Sequence, residues 1–91
     1  MAEGTIETNE VKLIKGLDMN VIYQTAPIGT MSMFDCSGTD NTPSVSNRWF
    51  GFQWKNPSGV YGFQIAFSFN NDKIYKRFAF NSSTLSSWRE I

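Results

Sequence analysis

The sequence predicts an all-β fold, a small antiparallel and sandwich-like domain, on three observations. Runs of aromatic and β-branched residues recur about every ten positions. Clusters of Gly, Asn, Pro and Ser separate those runs, and helical periodicity is hard to find anywhere along the 91 residues.

The first sixteen residues, ending in TIETNEVKLIKG, mix charges with Ile6, Val11, Leu13 and Ile14 before Gly16 interrupts the pattern. They read as a lead-in or stalk segment, residues 1–16, for which strand and non-strand readings balance. The domain proper is then residues 17–91. Within it, MNVIYQ and GTMSMFDC read as two short strands joined through TAPIG, where Pro27 and Gly29 punctuate the chain. SGTDNTPSVSN, residues 37–47, is a surface loop by composition. It is either a plain solvated connection or one of the loops in which binding residues concentrate.

Residues 48–80 read as a three-stranded meander. RWFGFQW puts Phe50, Phe52 and Trp54 on one side and Trp49, Gly51 and Gln53 on the other. KNPSGV offers Pro57 for a turn and Gly59 where positive φ is needed. VYGFQIAFSF then alternates Tyr61, Phe63, Ile65, Phe67 and Phe69 with Gly62, Gln64, Ala66 and Ser68. The aromatic side of this strand belongs to a core or to a subunit contact. FNNDK supplies Asn and Asp, which tolerate the left-handed region, and KIYKRFAF closes the meander with Ile74, Phe78 and Phe80. In the terminal SSTLSSWREI, Trp88 reads as packing that pins the end of the chain.

Composition narrows the function classes. Eight basic residues balance eight acidic ones, which removes the footprint expected for nucleic-acid or anionic-membrane binding. With no histidine and one cysteine, neither a Cys/His zinc site nor a Cys-His pair can be built, and Cys36 reads as a small buried hydrophobe. Asp18, Asp35, Asp40, Asp72 and Glu90 show no spacing that suggests paired catalytic carboxylates. The expectation is a non-enzyme with no cofactor and no metal. No secretory leader or membrane-length apolar stretch is present, so synthesis in a cytoplasm is expected without membrane insertion.

The apolar supply is generous for the length: eight Phe, three Trp and three Tyr. Some of it faces another subunit or a ligand, because a core of this size is marginal without assistance. Tryptophan faces stack on sugar rings while neighbouring Asn, Asp and Gln supply donors and acceptors. Trp49 and Trp54 are the candidates for such a role, with burial in a core or interface as the alternative. The candidate contact residues are Trp49 and Trp54 from the RWFGFQW strand, and Asp40, Asn41, Asn56, Asn70, Asn71 and Asp72 on loops 37–47, 56–59 and 70–72.

The last third of the chain, GVYGFQIAFSFNNDKIYKRFAFNSSTLSSWREI, carries an ordered motif. Gln64, Ile65 and Ala66 lie in one strand, followed by a tight turn, then Ile74, Tyr75 and Arg77, then a polar loop and a closing Trp88, Arg89 and Ile91. In that order these residues resemble the C-terminal knob of bacteriophage tail fibres, the type called the pyocin knob domain. LDMNVIYQTAPIG, with Asp18, Asn20 and Tyr23, is similar to the family's opening strand, so the resemblance covers Leu17 to Ile91. Leu85 departs from it, standing where the family usually has an aromatic or a glycine, and the family's glycine near the opening Tyr is missing.

The resemblance implies a knob-like β domain at the tip of a trimeric fibre. Such a domain belongs to a virion, or another surface appendage made in a bacterial host. It attaches the particle non-covalently to a bacterial cell-surface receptor, often a polysaccharide. The homotrimer's other subunits and the surface glycan are the implied partners. A cap or trimerisation module of a fibre, head or baseplate, with no receptor site of its own, is the chief competing reading. A fragment of a wall-degrading enzyme is a second.

Overall fold

The computed structural model describes residues 12–43, 48–81 and 84–91. Residues 1–11 of the expected lead-in, 44–47 of the expected loop and 82–83 lie outside the described residues. Among the described residues, seven strands form a single mixed sheet with one short helix beside it: β1 (Lys12–Asp18), α1 (Met19–Thr25), β2 (Met31–Asp40), β3 (Trp49–Lys55), β4 (Gly62–Ser68), β5 (Ile74–Asn81), β6 (Thr84–Leu85) and β7 (Arg89–Glu90). The spatial order is β1-β2-β3-β4-β5-β6, with β7 also on β5. The protein is mostly strand, as expected. The meander is present as β3, β4 and β5, paired antiparallel throughout.

The opening differs from the sequence expectation in two ways. Lys12–Asp18, which straddles the boundary expected at residue 17, is an edge strand parallel to β2, in register from Lys12↔Ser32 to Gly16↔Cys36. A parallel pair requires a crossover of about a dozen residues, and MNVIYQ, expected as a strand, supplies it as α1. Asp18 caps the helix by accepting a hydrogen bond from the Asn20 N–H at 2.8 Å. Met19, Ile22, Tyr23 and Ala26, at helical spacing, are all buried. Pro27 ends the helix by holding Ala26 in an extended conformation. The β-branched Val21 and Ile22 suggested a strand, but the burial of one helical face outweighs their propensity.

The helix lies on one face of the sheet, and the core lies beneath it. Met19, Ile22, Phe34, Cys36, Trp49 and Ala66 form that core, with Ile14, Tyr75 and Trp88 packed against it. At the other margin, β6 and β7 pair along β5, and between them Ser86 exchanges two hydrogen bonds with Phe78. Residues 84–91 thus line the outer edge of β5.

Two ends of the sheet are distinguishable. At the entry end are Lys12, where residues 1–11 join, the α1–β2 connection and the β3–β4 turn, tied together by Gly29 N–H to Asn56 O and Lys55 N–H to Thr30 O. At the far end are Asp18 opposite Asp40, the β4–β5 turn and Ile91, whose N–H donates to Ile74 O.

Candidate functional site

The alternation of β3 and β4 places two different surfaces back to back. Toward α1 point Trp49, Gly51, Gln53 and Lys55 from β3 and Gly62, Gln64, Ala66 and Ser68 from β4, all of them buried. Away from α1 point Phe50, Phe52 and Trp54 against Phe67, Ile65 and Phe63. The expected aromatic side of β4 is therefore not the core.

The small and polar side is inward for a physical reason. A short helix brings its backbone close to the sheet and leaves carbonyl groups that need donors. Glycine supplies the space: a Cβ at Gly62 would collide with Tyr23 Oη and the Trp54 carbonyl. The donors come from successive strands. Gln53 Nε2 donates to Ile22 O at 3.3 Å and to Ser32 Oγ at 3.2 Å, and Lys55 Nζ donates to Gln24 O at 3.1 Å. Gln64 Nε2 donates to Met19 O at 3.2 Å and to Gln53 Oε1 at 2.8 Å, while its own Oε1 accepts from Arg77 Nε at 2.8 Å.

Arg77 completes this relay and, like Lys55, carries a charge into the packing. Its guanidinium lies 4.4 Å from the centroid of Trp88, a cation–π stack that fixes the C-terminal segment. Burial pushes the Arg77 pKa down to about 10, and the Asp18 carboxylate partly opposes that shift. Asp18 itself sits below its usual carboxylate range, chiefly because Asn41 Nδ2 donates to it at 2.8 Å, against an opposing effect of burial.

The outward side is a grid of apolar side chains. Met31, Trp54, Phe63 and Phe78 form one row across β2 to β5. Leu13, Met33, Phe52 and Ile65 form the next, and Phe50, Phe67 and Ile74 a third. Phe52 makes edge or tilted contacts with Phe63 and Phe67, and Trp54 lies tilted on Phe63. Yet Leu13, Met31, Met33, Phe50 and Phe78 each remain 41–54% exposed, and no described element covers them. With an aromatic side chain worth about 150–250 Å² in all, the open grid presents on the order of 800 Å². Monomeric proteins rarely leave a contiguous apolar patch of that size. Charges stand on this side too: Lys15, Lys76, and Asp35 in a bidentate pair with Arg48. Arg48 holds the Asp35 carboxyl below its ordinary range.

The expected receptor residues are dispersed. Trp49 is wholly buried, edge-on to Tyr75 at 5.6 Å, so it has no face to offer a sugar; its place on the less aromatic side of β3 is what put it in the core. Trp54 is half-buried within the apolar grid. Asn56 organises the β3–β4 turn, its Oδ1 accepting from Val60 N, Tyr61 N and Ser58 Oγ. Asp40 and Asn41 are exposed at the far end; Asn41 is left-handed (φ 58°), and its carbonyl accepts from Trp88 Nε1 at 2.8 Å. Asn70, Asn71 and Asp72 are exposed in the far-end turn. The structure thus brings Asp40, Asn41 and residues 70–72 to one end and leaves Trp54 and Asn56 at the other. Phe69, 66% exposed beside that turn, was missed as a contact candidate because its alternation assigned it to the aromatic side of β4.

No family model matches the chain, and no curated protein or solved structure is similar enough to stand as a relative. Among the described residues no helix is long and apolar enough to cross a membrane, and no group of His, Cys, Asp and Glu is placed to hold a metal ion.

Proposed function

We propose that this chain is a homotrimeric attachment module, the tip of a bacteriophage or phage-like tail fibre, that binds a bacterial surface polysaccharide non-covalently and without catalysis. The single observation that carries the reading is the open apolar face. Its occupant is further copies of the same chain. Stable protein interfaces bury about 800 Å² from each partner, which matches the open area, and a core confined to the opposite face leaves a protomer of this size marginal by itself. Sheets packed through these faces would also give the sandwich-like layering that the sequence predicts, with the second layer supplied by a neighbour. Closed symmetry around the faces leaves no growing assembly. The resemblance of the last third of the chain, Gly59–Ile91, to the pyocin knob supports the fibre-tip and virion reading, whereas the expected opening strand is the helix α1, and trimerisation would turn weak sugar contacts into avidity.

One observation favours the competing reading of an assembly module without a receptor site: Trp49 is in the core and Trp54 is in the apolar grid, so neither tryptophan stands on a loop. Sedimentation equilibrium of the native chain tests the assembly, with a mass three times the 10.3 kDa protomer expected. A monomer at all accessible concentrations overturns it. Adsorption of the purified chain to the bacteria that its parent particle infects, with blocking of infection, separates the receptor role from assembly alone.

A further inference from the structure

We infer that the glycan-contacting site is the far end of the sheet, where a pyranose ring stacks on Phe69 and its hydroxyls are bonded by the Asn70–Asn71–Asp72 turn. This rests on the attachment reading above and narrows it to one end of the molecule and one aromatic platform.

Phe69 is the first residue beyond β4 and is 66% exposed, yet it is held in place. Its N–H donates to Arg48 O at 3.2 Å, and its ring meets Phe50 edge-on, with centroids 6.1 Å apart and planes at 66°. A fixed aromatic face costs little further entropy when a flat ring settles on it, which is what makes such anchors effective. The turn that follows is equally set: Ser68 N–H donates to Lys73 O at 2.9 Å, Asn70 N–H donates to Ser68 Oγ at 3.3 Å, and Asp72 takes the left-handed conformation at φ 57°. Three consecutive exposed side chains then carry two amides and a carboxylate, the mixture of donors and acceptors that vicinal hydroxyls require.

The polar turn at the other end is already committed to its own structure. The Asn56 carboxamide oxygen is already engaged by three donors of its own turn.

The test is an amide chemical-shift titration of the full chain with three pyranoses: glucose, N-acetylglucosamine and rhamnose, at tens of millimolar. Shifts confined to Phe69–Lys73 and Asp40–Asn41 are expected with at least one of them. Phe69→Ala is expected to weaken that sugar roughly tenfold, the effect of losing an aromatic anchor, and Asn71→Ala to weaken it less. No shifts with any of the three, or shifts centred on the Asn56–Tyr61 turn, overturn the inference. So does a Phe69→Ala protein that loses its oligomer while Asn71→Ala binds sugar as before, because Phe69 would then belong to the subunit contact. The mass of the same samples keeps the two ideas apart. A trimer without sugar shifts sinks this site and leaves the assembly standing, whereas a monomer with far-end shifts does the reverse.

Discussion

The two sides of β3 and β4 come from the same fourteen positions, yet they do opposite work. Under α1 the strands offer Gly, Ala, Ser, Gln, Lys and a single Trp; on the open side they offer Phe, Ile and Trp in register. Hydrophobicity alone would bury the second set. What decides is the company each side keeps: a helix needs close approach and hydrogen-bond donors, while a flat aromatic grid needs another flat apolar surface. The comparison teaches that the more apolar side of a strand in a small domain can be the one left open.

The comparison can be broken most forcefully at Trp49. Trp49→Ala is expected to cost about 3–5 kcal/mol, a large share of the stability of a domain this size. A thermal melt that barely moves would mean that the core is elsewhere. A smaller loss, about 1–3 kcal/mol, is expected for Gln64→Ala, which strips Arg77 Nε and the Gln53 carboxamide of their buried partner. Urea unfolding of that variant measures how far the inward side depends on its polar relay rather than on apolar contact.

Phe52→Lys sharpens the same contrast from the open side. Its effect on the protomer is expected to stay near 1 kcal/mol or below, the scale of cross-strand pair contacts, while the oligomer dissociates. Circular dichroism unchanged with a fall in sedimentation mass is the expected pair of results. A variant that unfolds instead would move the aromatic grid into the core.

The smallest effect is at the far-end cap. Asp18→Ala is expected to cost about 1 kcal/mol at neutral pH. Because the Asp18 carboxyl lies below its unfolded value of about 3.9, its stabilisation is complete above that pH and is lost as pH falls through the folded value. The difference between wild type and variant should therefore close in acid. A gap that persists in strong acid would assign the effect to helix propensity rather than to charge.

Much of the meander was legible because its signals are local. The period of two in VYGFQIAFSF, Gly59 at positive φ (76°) in the NPSG turn and Asp72 in the left-handed region are chemistry within a few residues. Cys36 as a buried hydrophobe and Trp88 as the residue pinning the C-terminus are likewise as expected. The helix was not legible. Its seven residues carry strand-prone side chains, and its stability comes from Met19, Ile22 and Tyr23 settling on strands distant in the sequence. Of the contact candidates, residues 70–72 were legible as an exposed turn from their composition, whereas the burial of Trp49 depends on which side of β3 meets the helix.

By itself, the sequence determined the strands of the meander, their alternation, their turns and the supply of aromatic surface, since each depends on backbone preference and spacing along the chain. Only the tertiary structure decided which side of that alternation is the interior. It also turned residues 19–25 into a helix, set β1 parallel to β2, and gathered Gln53, Gln64 and Arg77 from three strands beneath the helix. Those outcomes depend on which surface arrives opposite which. No local pattern encodes that, because the free energy of burial belongs to the pair of surfaces and not to either one.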